Sequence, residues 1–223
     1  MNDATATAVG PPDRVVEVSP ERLSGWLGRF GAAHGEGIER ADGDDLVVEF
    51  PDGARVRLVD RWGGGAAPDA TAWIAGQRRD RRVALLLVRR SAHAVGLAVG
   101  AELPVHHVDT HYVQGRTKAG GWSQQRYARR RDNQSDHALG SAADDAVRVL
   151  LPIADRIDAL VCGCDTRAVD IVLADRRLAP LAARRTRHPV LPVPDPRLAV
   201  LRDVVVRMRM VPVRISDPPS PPQ

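Results

Sequence analysis

Cysteine is scarce in this chain: its 223 residues include only Cys162 and Cys164. Two thiols one residue apart cannot build a disulfide framework, so a small secreted disulfide scaffold is excluded and both cysteines are expected to be reduced. Aromatic residues are also few, 4% of the chain against 43% for all apolar types. The core must therefore be made mostly from Val, Leu and Ala, as in α/β proteins with Val- and Leu-rich strands. Long apolar runs are missing as well. The strongest, Val83 to Val88, is far shorter than the roughly 20 residues that a membrane-spanning helix needs. The first residues, Met1 to Thr7, have neither the basic start nor the apolar centre of a signal peptide. These absences lead to an expectation of a soluble, cytoplasmic protein with no membrane partner.

The most informative absence is local. From Gln114 to Arg131 there is no acidic residue, while Arg116, Lys118, Arg126, Arg129, Arg130 and Arg131 give the segment a charge of +6. The whole chain carries +4, so everything else sums to −2. Basicity confined in this way reads as a phosphate-binding surface, whereas evenly spread basicity would suggest only solubility.

Along the chain, residues 1–14 and the Pro-rich residues 216–223 read as tails. Residues 15–61 read as a small α+β unit. It begins with a strand from Val15 to Val18. Ser19 then caps a helix with Pro20 at its first position, its apolar stripe is Leu23, Trp26, Leu27 and Phe30, and its end is expected near Gly31. The segments 46–50 and 54–59 flank the turn Pro51-Asp52-Gly53 as a hairpin. Residues 62–70, with Gly63-Gly64-Gly65, read as a linker.

The larger domain is expected over 71–205. It opens with three strands in an antiparallel meander, 82–88, 92–99 and 105–113. A helical stretch follows from Ser123 to about Ile153, with Tyr127, Ala138, Ala142, Ala146, Val149, Leu150 and Ile153 on one stripe and a break at Gly140. A buried strand is expected at 158–164, helical turns over 167–185 and a short strand at 189–193. A helix from Asp195-Pro196 to about Asp203 comes next, and a last strand over 206–215 in which Pro212 forces an edge or a bulge. The fold class is thus α/β, a mixed β-sheet flanked by helices, with the small α+β unit at the N-terminus.

Within the basic segment, Gly115, Gly120 and Gly121 free the backbone to thread a narrow site, Arg116 and Lys118 suit phosphate, and Gln124 and Gln125 offer uncharged amides. No carboxylate, His or Cys is available there as a general base, so any hydrolysis would use water that an amide positions. Ser123-Gln-Gln-Arg-Tyr-Ala-Arg-Arg-Arg131 resembles the helix that follows the Gly-Gly-Gln loop in the middle, catalytic domain of eukaryotic and archaeal class-one release factors. Gly121-Trp122-Ser123-Gln124 fits the Gly-x-x-Gln pattern of the actinobacterial members of the Vms-like release-factor group. The resemblance extends over roughly Arg82 to Asp203.

It implies a release-factor middle-domain fold and a peptidyl-tRNA hydrolase that frees nascent chains from stalled large ribosomal subunits. Gln124 or Gln125 would orient the water, and Gly120 and Gly121 would give the loop its freedom. Arg116, Lys118, Trp122, Arg126, Arg129, Arg130 and Arg131 would contact ribosomal RNA or the tRNA. Aligned on the helix, Trp122 stands where the release factors have their glutamine, so the loop must differ in geometry. The codon-reading and partner-binding domains of those factors have no counterpart, and stop-codon decoding is not implied.

Two other readings compete. One is a noncatalytic ribosome- or RNA-binding factor that anchors through the same segment. The other is a metal-dependent nuclease centred on His107, Asp109 and His111, which fall at i, i+2 and i+4 on one strand face beside His106. One strand rarely supplies a complete metal site, and the sequence shows no Cys or Glu partner for it, so neither metal nor cofactor is expected. Cys162-Gly163-Cys164 has no second Cys pair and reads as strand packing.

Overall fold

The computed structural model describes residues 14–110, 123–187 and 189–218, with backbone only for 123–133. The chain forms two compact units, one from residues 1–79 with 209–223 and the other from 80–208.

In the first unit, strand β1 (Arg14–Val18) leads into helix α1 (Pro20–His34), followed by β2 (Ile38–Asp42), β3 (Asp45–Glu49), β4 (Arg55–Leu58) and helix α2 (Ala70–Arg78). Ser19 precedes α1 with Pro20 at its first position, but its side chain makes no capping bond. The helix runs past Gly31 and ends at Gly35, which takes a φ of 94° while its N–H donates to the Gly31 carbonyl. That left-handed value is what makes Gly35, rather than Gly31, the stop. The extra turn brings His34 onto Phe30, with ring centroids 4.2 Å apart, and lets its Nδ1 donate to Asp52 at 2.7 Å.

The sheet of this unit is antiparallel throughout and is completed by the last strand of the chain, Val211–Ser216. That strand lies between β1 and β4, pairing Val16 with Val213 on one side and Val56 with Ile215 on the other. Pro212 is therefore not at an edge, contrary to expectation. Its carbonyl accepts from Val59, just past the end of β4, so its missing N–H faces a place where the ladder is already closing. Leu46, Val48, Val56, Leu58, Val213 and Ile215 alternate inward onto Leu23 and Trp73.

The glycine-rich stretch expected to be a linker is tied into this unit. The Asp60 carboxylate, 4% exposed, accepts from the N–H groups of Trp62 and Gly63 and from Gln77 Nε2. A Cβ on Gly65 would lie 2.8 Å from the Asp44 carbonyl oxygen. Composition suggested freedom, but a buried acceptor followed by three glycines makes a tight turn.

The second unit opens with β5 (Arg82–Arg89), β6 (Ala92–Val99) and β7 (Glu102–Thr110), the expected meander. Helix α3 (Ser123–Leu150) then crosses to β8 (Ala159–Cys164), which pairs in parallel with β5. The four-stranded sheet thus has the order β7-β6-β5-β8. Gly140 does not break α3; it is exposed, so its lack of a side chain costs helix propensity but no packing. Ala142, Ala146 and Leu150 pack into the core under one sheet face, as their spacing predicts, and Ala138 is buried as well.

Helix α4 (Thr166–Leu173) follows, capped by the Asp165 carboxylate accepting from Ala168 N–H at 3.1 Å, and then the short α5 (Ala179–Ala182). Residues 189–193 form no strand; Leu191 makes a single parallel bridge to Gly163. Helix α6 (Leu198–Met208) covers the other face, where a Cβ on Gly96 would meet Leu201 Cδ2 at 3.1 Å. The alternation of 206–215 therefore belongs partly to this helix and partly to the final strand, β9 (Val211–Ser216). Among the described residues, no helix is long and apolar enough to cross a membrane.

Candidate functional site

Two elements flank the basic segment. β7 leads into it and ends at Thr110, and α3 leaves it from Ser123. Of the residues singled out in the sequence, His111, Gly115, Arg116, Lys118, Gly120, Gly121 and Trp122 lie outside the described residues. Gln124, Gln125, Arg126, Arg129, Arg130 and Arg131 lie in the first turns of α3, where the backbone is helical and the side chains are outside the description. Helical backbone there means that the six residues share the start of one helix, with Gln124 and Gln125 at its N-terminal end, where unpaired N–H groups carry partial positive charge.

Farther along the same two elements the side chains converge. His93 on β6, His107 and Asp109 on β7, and Asp145 on α3 have ligand atoms that all lie within 4.8 Å of one another. His93 is 1% exposed, and its Nε2 donates to Asp145 Oδ2 at 2.8 Å. His107 Nε2 reaches the same oxygen at 3.1 Å. The other carboxylate oxygen, Oδ1, accepts from Arg148 Nε at 3.2 Å. Burial pushes the Asp145 carboxyl up, but the hydrogen bonds from Arg148 and His93 and the adjoining charge of His107 outweigh it, so its pKa falls below the ordinary carboxylate value.

Pairing register explains this convergence. Near the hairpin turn Val99 pairs with Glu102, yet beyond an irregularity Leu97 pairs with Val105 and His93 with Asp109. Without that one-residue shift His93 would stand opposite Val108, with its side chain on the same face as Val108 and away from His107 and Asp109. The sequence spacing identified His107 and Asp109 as neighbours on one face. It missed His93 and Asp145, whose only signal was a His in the preceding strand of a meander.

Cys162 is buried in the core of the second unit, and Cys164 is half-buried at the end of β8. Burial pushes the Cys162 thiol up to about 12 and the Cys164 thiol up to about 11. Cys164 has a φ of 80°, at the point where β8 turns toward α4. Gly163 between them is required by packing, because a Cβ there would come within 2.6 Å of Leu87 Cδ2.

No curated protein sequence matches the chain. Among solved structures, one similar to the chain is the crystal structure of the archaeal translation termination factor aRF1, at 13% sequence identity and a TM-score of 0.44. That match covers 87% of this chain and 64% of the termination factor, so this chain corresponds to less than two thirds of that protein's length. Residues 81–214 match the family described as Actinobacteria/chloroflexi VLRF1 release factor, a span that takes in the whole sheet of the second unit, the basic segment and α3. With more than half of its length matched, the chain belongs to this release-factor family.

Proposed function

We propose that the chain is a peptidyl-tRNA hydrolase that releases nascent chains from stalled large ribosomal subunits. The observation that carries this reading is the acid-free, +6 segment from Gln114 to Arg131, with its glycines and paired glutamines, lying inside the span matched to a release-factor family. In this reading the segment enters the peptidyl-transferase centre. Gln124 orients a water toward the ester carbonyl, Gln125 being the alternative amide, and Gly120 and Gly121 let the backbone approach closely. The oxyanion that forms is stabilised by backbone N–H groups and ribosomal RNA rather than by an acid of the protein. Arg116, Lys118, Arg126, Arg129, Arg130 and Arg131 hold phosphates of ribosomal RNA or of the tRNA acceptor end, and Trp122 stacks on a base.

The chemistry fits the inventory. The segment has no general base, so its contribution is positioning and electrostatics, and the ester is activated enough for oriented water to attack. The test is peptide release from purified large subunits carrying peptidyl-tRNA, with the parent chain and with Gln124→Ala, Gln125→Ala and the double variant. Release by the parent and its loss in one single variant supports the reading and picks the amide. Subunit binding without release by the parent would replace it with a noncatalytic anchor.

A further inference from the structure

We propose that His93, His107, Asp109 and Asp145 form a binding site for one divalent transition-metal ion of the zinc type, separate from the basic segment. The sequence offered only a single strand of candidate ligands, too few for a site. The fold adds His93 from the neighbouring strand and Asp145 from the crossing helix, so that three elements each contribute.

The donor set is two imidazole nitrogens and two carboxylates, which suits zinc, cobalt or iron(II) and disfavours calcium or magnesium, since those ions prefer an all-oxygen shell. The spacing is compatible with one ion. Around a tetrahedral zinc with bonds of about 2.0–2.2 Å, ligand atoms stand roughly 3.4 Å apart. Here His93 and His107 approach Asp145 Oδ2 at 2.8 and 3.1 Å, and the widest separation in the group is within 4.8 Å. Small side-chain adjustments would admit an ion into the space where the two imidazoles now converge on a single carboxylate oxygen.

Supporting contacts already orient the carboxylates. Arg148 donates to Asp145 Oδ1, and the backbone N–H of Thr110 donates to Asp109 Oδ1 at 2.7 Å. Contacts of this kind fix ligand orientation in metal sites. With four protein ligands the shell is closed, so the ion would act structurally, clamping β7, which leads into the basic segment, to α3, which leaves it. The one-residue register shift in β6–β7 is what brings the ligands to one face.

The test uses the full chain, stripped with chelator and titrated with Zn²⁺ by calorimetry and with Co²⁺ by visible absorption. The parent is expected to bind one equivalent of Zn²⁺ and to give the intense d–d bands of tetrahedral Co²⁺. His107→Ala and Asp109→Ala, on a partly exposed strand, should keep the parent circular dichroism and weaken Zn²⁺ at least tenfold. Zinc should raise the melting temperature of the parent and not of these variants. Absence of stoichiometric binding by the parent, or binding that both folded variants leave unchanged, would overturn the site and leave the four residues as a hydrogen-bonded network only. Neither outcome depends on peptide release.

Discussion

Replacing Asp60 should unlock the turn that joins β4 to α2. Its carboxylate is buried and accepts three hydrogen bonds, from Trp62 N–H at 3.1 Å, Gly63 N–H at 2.8 Å and Gln77 Nε2 at 3.1 Å. Hydrogen bonds to a charged group contribute about 1.5–3 kcal/mol each. Two of the donors are backbone groups in a partly solvated turn and can regain water, whereas Gln77 is buried and cannot. Asp60→Ala should therefore cost about 3–5 kcal/mol rather than the full sum. Asp60→Asn is the sharper test. Its oxygen can keep Trp62 and Gln77, but its amide then points N–H at the Gly63 N–H, for a cost of about 2–3 kcal/mol. Urea unfolding followed by tryptophan fluorescence reads this, since three of the four tryptophans, Trp26, Trp62 and Trp73, lie in the first unit. An Asp60→Asn unfolding free energy within about 0.5 kcal/mol of the parent would refute the reasoning and return residues 62–70 to the status of a loose linker.

Other expectations follow from the same contacts. Gly163→Ala forces a methyl against Leu87 and Val193, at 2.6 and 3.3 Å, and should destabilise the second unit by about 1–3 kcal/mol in denaturant titrations. Cys162, buried and with its thiol pushed up to about 12, should react with a thiol reagent at about pH 8 only after unfolding, whereas half-buried Cys164, pushed up to about 11, should react in the folded chain but slowly. The hydrogen bond from His34, with that from the Ala54 N–H, holds the Asp52 carboxyl below the ordinary aspartate value. A depressed carboxyl adds stability that is present above the unfolded value and lost as pH falls through the folded one. His34→Ala should accordingly lower the unfolding midpoint at about pH 6, and by about pH 2 the difference should shrink to what the lost stacking on Phe30 contributes.

Much of the fold was legible because its elements obey single periods. Leu46 to Phe50 and Val83 to Val88 are read as strands from composition alone, and α3 keeps its alanine stripe at helical spacing. Where an inference failed, a longer-range contact decided the outcome. Pro212 lies inside a sheet because β4 ends beside it, and residues 206–215 divide between α6 and β9 because the last strand returns to the first unit. The short β2, exposed along its length, had no apolar pattern to reveal it. The glycines at 63–65 resemble a linker until the buried Asp60 is known. The His93 cluster depends on a one-residue register shift, which no local pattern encodes. The charge, glycines and glutamines of the basic segment are local features of the sequence, and the span matched to the family includes them.

The central claim turns on Gln124. Peptide release should be measured on purified large subunits bearing peptidyl-tRNA, comparing the parent chain with Gln124→Ala at equal subunit occupancy. Loss of an oriented water should slow release by at least about a hundredfold, with binding unchanged. Release at the parent rate by Gln124→Ala and also by the Gln124→Ala/Gln125→Ala double variant would contradict it.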